Sequence, residues 1–177
     1  RRSDMYEINN AAVIGAGTMG LGIAGQLANC GVEVLLLDLP SAGKNRNAVC
    51  ERAIERLLDE TQPGLLHQKN LNRITVGNIE DDLHKLDKVD WIAEAVVERL
   101  DIKKDLYRRI DAVRKPGSIV SSNTSTIPIS LLVEGMPESF QAEFAITHFF
   151  NPVRYMRLLE LVQGEYTKQE VMDCLER

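Results

Sequence analysis

VIGAGTMGLGIA, residues 13–24, constrains this chain more than any other stretch. It places Gly15, Gly17 and Gly20 in a G-x-G-x-x-G pattern, directly after an apolar run and before Met19, Ile23 and Leu27 at helical spacing. A strand that turns on glycines into a helix leaves the first N–H groups of that helix unpaired, with a partial positive charge suited to phosphate. Gly15 permits the tight turn, Gly17 lets a pyrophosphate approach the backbone, and Gly20 lets helix and strand pack closely. The bland alternative is a glycine-rich turn that binds nothing, and the residues downstream weigh against it.

The first of these is Asp38, which ends the next strand-like run, VEVLLLD (32–38), 18 residues after Gly20. An acid there is expected to accept from the ribose hydroxyls of a bound dinucleotide. Its charge would repel a 2′-phosphate, and no arginine follows it in DLPSAG. The reading is NAD rather than NADP, with FAD as the rival that shares the fingerprint.

Further along, strand-like and helical runs alternate. KNRNAVCERAIERLLDE (44–60) is amphipathic, with Val49, Ala53 and Leu57 on one face. TQPGLLHQKNLNR breaks the pattern, and ITVG (74–77) is a short strand before the polar NIEDDLHKL. DWIAEAVVE (90–98) reads as a buried strand, and RLDIKKDLYRRIDAVR as a helix with Ile102, Leu106, Ile110 and Val113 stacked. SIVSS (118–122), a short helix in IPISLLVEGM, and the runs FAITHFF and RLLELV follow. Such alternation implies an α/β fold, a doubly wound Rossmann-type, mostly parallel sheet with helices on both faces, ending in additional strands. The expected divisions are a polar lead at 1–10, a dinucleotide-binding domain at 11–166, and at 167–177 the start of a helix leading to a further helical domain. The chain begins with Arg and ends within TKQEVMDCLER, which reads as a piece of a longer protein.

A net charge of −5 and a pI near 5.3 argue against nucleic acid as a partner, which wants a basic face. Three cysteines without CxxC spacing argue against a disulfide framework or a metal site and fit a reducing, cytoplasmic setting. No run of 18 apolar residues suggests a membrane span, and RRSDMYEINN lacks the apolar core of a secretory signal. His67 in a polar loop and His84 in a charged turn read as surface residues.

His148 and Glu160 are equidistant from residue 154 in the sequence. If the chain folds back about Asn151–Pro152, the two side chains stand opposite each other on one face. A carboxylate beside an imidazole fixes its tautomer and favours its protonated form, which suits a general base. A structural histidine satisfied by a neighbouring acid has the same spacing. Ser125, in SSNTSTIPI (121–129), follows a strand, at the edge of the sheet where ligands bind. It either offers its hydroxyl to a substrate or caps the next helix. Glu98 ends the strand WIAEAVVE at the same edge of the sheet, with Lys103 five residues on; the bland reading is a first-turn carboxylate and a solvated lysine.

Taken together, VIGAGTMGLGIA, EAVVERLDIKKDLYRRID, SSNTSTIPI and HFFNPVRYMRLLELV resemble the NAD-binding domain of the L-3-hydroxyacyl-CoA dehydrogenase family, across most of residues 11–162. The look is closest to the long bacterial fatty-acid-oxidation members. The resemblance implies NAD-dependent oxidation of a 3-hydroxyacyl-CoA, with His148 as general base, Glu160 as its partner and Ser125 on the substrate oxygen. It implies a cofactor site of Gly15, Ala16, Gly17, Thr18, Met19, Gly20, Asp38, Glu98, Lys103, Ser125 and Asn151. It also implies an acyl-CoA substrate and a homodimer formed through a C-terminal helical domain.

Three departures stand out. Arg154 occupies the place of a usual proline after HFFNPV, altering the turn or adding a cation near the crevice. The C-terminal helical domain is absent from these residues. The region around Lys44, Arg46, Arg52 and Arg56, where relatives place residues on coenzyme A, does not align clearly and reads as a solvated helix face. Two other readings stay open: a dehydrogenase of small hydroxy acids or sugar acids on the same fold, and a nucleotide-binding module without catalysis.

Overall fold

A computed structural model describes residues 6–59, 61 and 63–177. Part of the polar lead, residues 1–5, and position 60 at the end of the expected second helix lie outside the described residues. Among the described residues, seven strands form one sheet: β1 (Asn10–Ile14), β2 (Glu33–Asp38), β3 (Ile74–Asn78), β4 (Trp91–Glu94), β5 (Ile119–Ser122), β6 (Phe144–Phe149) and β7 (Leu159–Gln163). Their order across the sheet is β3-β2-β1-β4-β5-β6-β7, parallel except that β7 runs antiparallel to β6. The chain thus starts at the middle of the sheet, winds outward to one edge, and returns to wind toward the other. The reversal point lies between β1 and β4, where the carboxyl ends of the strands open a crevice for ligands.

Among the described residues, six α-helices cover the sheet: α1 (Thr18–Asn29), α2 (Ala48–Leu57), α3 (Leu100–Val113), α4 (Ile129–Val133), α5 (Glu138–Ala142) and α6 (Gln169–Glu176). Val13, Leu36 and Trp91 face a core shared with Ile23, Ala53 and Val171 of α1, α2 and α6. Ile14, Leu37 and Ile92 face the opposite core, with Leu106, Tyr107 and Phe140 of α3 and α5. Both faces of β1 are therefore dry, which explains why AAVI is continuously apolar rather than alternating. On the second face Tyr107, Phe140 and Phe144 form a cluster with ring centroids 5.2–5.7 Å apart. No helix among the described residues is long and apolar enough to cross a membrane.

Several expected elements are shorter or differently turned. The second helix begins at Ala48 rather than Lys44, because Asn45 and Asn47 hold a turn before it: the Asn47 amide donates to the Asn45 side chain, which itself reaches Glu51. The buried stripe of α3 is Lys103, Leu106, Tyr107 and Ile110, while Ile102 is exposed. The run DWIAEAVVE is a strand only to Glu94; beyond it the chain leaves the sheet and crosses in front of the glycine turn. Glu98 therefore stands in a loop, four residues past the end of β4. Helix α5 was not foreseen, since five residues of ESFQA carry too little periodicity to read.

Candidate active site

The glycine turn joins β1 to α1 with Gly15 at φ +108°, a conformation that favours glycine. A Cβ on Gly15 would lie 2.4 Å from the Ala95 carbonyl oxygen, and one on Gly20 only 1.7 Å from the Gly15 carbonyl oxygen. These two glycines are required by the protein's own packing. Gly17 differs: a Cβ there would meet nothing within 4 Å. The space in front of Gly17 is open, as expected of a backbone that a ligand must approach.

Asp38 braces this turn. Its carboxylate accepts from the amides of Ala16 and Leu39, both at 2.6 Å. Arg56 of α2 donates to the Ala16 carbonyl at 3.0 Å, so this arginine supports the turn as well as standing on an exposed face.

Next to the turn lies a cleft of about 340 Å³, lined by Met19 on one side and by Glu98, Lys103, Asn123, Ser125, His148 and Asn151 among others. Every expected site residue beyond the turn and Asp38 lines it except Glu160, which reaches it through His148. The β6–β7 register pairs His148 directly with Glu160, and His148 Nδ1 lies 3.2 Å from the Glu160 carboxylate. With Nδ1–H donating to the acid, the other ring nitrogen carries the lone pair. The Phe150 ring packs against the imidazole, with centroids 4.6 Å apart.

The Ser125 loop is shaped by its neighbours. Thr124 Oγ1 donates to Glu98 at 2.5 Å and accepts from the amides of Thr126 and Ile127. Thr124, not Ser125, closes the turn before α4, and Ser125 is exposed at the cleft. Asn123 ties this loop to β6 by accepting the Phe149 amide at 2.9 Å.

Lys103 is not a solvated lysine. Its side chain is 2% exposed and its Nζ lies 2.6 Å from Glu94, whose side chain is 0% exposed. Glu94 also accepts from Tyr107 (2.5 Å), Ser122 (2.8 Å) and the Val96 amide (3.0 Å). A buried carboxylate without partners would be strongly unfavourable; these four donors satisfy it. Burial and the adjacent Glu94 push the Tyr107 phenol well up, so it remains a donor. The sequence reading passed over Glu94, Asn123 and Thr124. An acid inside the apolar run WIAEAVV was the available signal, because such a residue needs buried partners.

Arg154 adds no free cation to the crevice. Its Nη1 donates to the carbonyls of Pro63 (2.6 Å) and Leu65 (3.1 Å), and its guanidinium lies 5.1 Å from the centre of the Tyr155 ring. It ties the loop after β6 to the loop between α2 and β3. Cys50 is buried, and burial pushes its thiol up to about 12, which keeps it unreactive.

Comparison with known proteins gives these features a context. Residues 10–177 match the family model described as the 3-hydroxyacyl-CoA dehydrogenase NAD-binding domain. A probable 3-hydroxyacyl-CoA dehydrogenase of Deinococcus radiodurans is 46% identical over 94% of this chain and 48% of its own length. A putative fatty acid oxidation complex trifunctional enzyme of Rickettsia felis is 42% identical over 94% of this chain and 23% of its own. The crystal structure of 3-hydroxybutyryl-CoA dehydrogenase from Escherichia coli superposes with a TM-score of 0.82 at 35% identity, over 96% of this chain and 35% of that one. The chain thus spans about half of the first relative and about a quarter of the second.

Proposed function

Since the chain belongs to the family of 3-hydroxyacyl-CoA dehydrogenase NAD-binding domains, we propose that it serves the oxidation of the 3-hydroxyl of an acyl-CoA to a ketone. The observation that carries this reading is the His148–Glu160 cross-strand pair at the wall of a cleft that begins beside the glycine turn.

The residues present fit NAD. Open space before Gly17 accommodates a pyrophosphate, the first amides of α1 are available to it, and Asp38 stands at the end of β2 for a ribose. When bound, NAD supplies the hydride acceptor. His148 takes the hydroxyl proton through the nitrogen not engaged by Glu160, and returns it in the reverse direction. Glu160 holds the ring orientation and stabilises the imidazolium that forms. Ser125 offers a hydrogen bond to the substrate oxygen. Glu98, Lys103 and Asn151 contact the cofactor across the cleft. A homodimer of the complete protein belongs to the same proposal.

The test is a comparison of substrates with the full polypeptide that carries this domain. NADH-dependent reduction of acetoacetyl-CoA should greatly exceed reduction or oxidation of free oxo or hydroxy acids. A preference for the free acids would replace the acyl-CoA reading, and no turnover on either would leave a nucleotide-binding module.

Asp38 yields a separate expectation. Asp38→Ala removes the charge that opposes a 2′-phosphate and the brace on Ala16. NAD affinity should fall by about tenfold, the worth of one charge-assisted hydrogen bond, while NADP affinity falls less or rises. Parallel titrations with the two nucleotides check this.

A further inference from the structure

The hydride chemistry above makes no use of Glu94, yet this acid controls one wall of the cleft. Its side chain is fully enclosed and does not line the cleft, whereas Lys103 and Glu98 do. Lys103 Nζ stands between them, 2.6 Å from Glu94 and 3.7 Å from Glu98. The Glu98 side chain is 42% exposed and holds the Thr124 hydroxyl. Lys103 is fixed by its place on the buried face of α3, and Glu94 by its other donors in the loop after β4, on α3 and on β5.

Two carboxylates and one ammonium leave a single net negative charge in this array. We infer that the Glu94–Lys103–Glu98 array shifts the cleft's affinities toward oxidised and away from reduced nicotinamide, relative to a neutral wall, with Glu94 a positioning residue that holds the ammonium away from full pairing with Glu98. The inference rests on the NAD reading above. The oxidised ring carries a positive charge that the reduced ring lacks, so a negative wall interacts differently with the two forms. A ligand pair is discriminated only by such a differential term. Among the described residues, the ionisable side chains lining the cleft are Glu98, Lys103 and His148, and His148 faces its own acid, Glu160. The backbone amides of the glycine turn face the pyrophosphate, which is common to both forms and cancels in their ratio.

Glu94→Gln keeps the size and most hydrogen bonds of the buried side chain and removes one negative charge, leaving Lys103 and Glu98 neutral as a pair. Glu98→Gln neutralises the array from the exposed side, where folding is not at risk. The chain and both variants are titrated with NAD+ and with NADH at one pH, following NADH fluorescence and displacement. The ratio Kd(NADH)/Kd(NAD+) should fall by about three- to tenfold in each variant, as for a partly screened unit charge. A purely structural role for Glu94 would weaken both nucleotides by the same factor, and an unchanged ratio overturns the inference. If Glu94→Gln does not fold, Glu98→Gln decides alone: a shifted ratio supports the array and an unshifted one overturns it. Failure of the wild-type chain to bind either nucleotide overturns the NAD reading itself and the inference with it.

Discussion

Glutamine in place of His148 is expected to lower kcat for hydroxyacyl-CoA oxidation by about 10²–10⁴-fold, the usual worth of a positioned general base. Glutamine has nearly the length of the histidine and can still meet Glu160 across the β6–β7 pair, so the strand register should hold. What it cannot do is accept the hydroxyl proton. NAD affinity should change by no more than about threefold, because the glycine turn and Asp38 are untouched. Steady-state kinetics on the full polypeptide, with a nucleotide titration of the same variant, check both statements. Near-normal turnover would remove His148 from the chemistry and leave it a packed residue beside Phe150.

Two alanine substitutions in the glycine turn should part company. For Gly20→Ala the new methyl would sit 1.7 Å from the Gly15 carbonyl oxygen, where only backbone can give way. The strand-to-helix turn must open, at a cost of about 1–3 kcal/mol, and the phosphate-binding geometry goes with it. Gly17→Ala meets nothing within 4 Å and has an ordinary φ of −70°. Its stability should stay within about 0.5 kcal/mol of the parent. Its NAD affinity should nevertheless drop by about tenfold or more, because the methyl occupies the space through which a pyrophosphate reaches the backbone. Thermal melts and NADH titrations separate the two effects. A Gly17→Ala protein that is stable and binds NADH normally would mean that the phosphates lie elsewhere.

Some of the site was legible because its signals are local. The His148–Glu160 pairing follows from two apolar runs symmetric about a turn, and antiparallel strands place such residues opposite each other. Ser125 was placed by its position after a strand, although its role as a possible cap was settled against it only by the observed bonds of Thr124. Lys103 illustrates the opposite case. Its neighbours in sequence are charged, and nothing nearby shows that it faces inward. Its burial depends on Glu94, nine residues earlier, and on Ser122, which shares that acid from another strand. The overestimated length of β4 has the same origin: VVE continues the apolar pattern, but the glycine turn occupies the space a longer strand would need.

The sequence by itself determined the alternation of strands and helices, the glycine turn and its answering Asp38, and the opposition of His148 and Glu160. Periodicity, turn chemistry and chain reversal are short-range rules, and each acts within one or two elements. Only the tertiary structure decided that Glu94 is the centre of a closed network, that Arg154 is spent on the loop carbonyls at Pro63 and Leu65, and that the pair and the glycine turn flank one cleft. The physical reason is burial: a charge taken out of water must find its partners in space, and here those partners come from strands and loops that the chain order keeps apart.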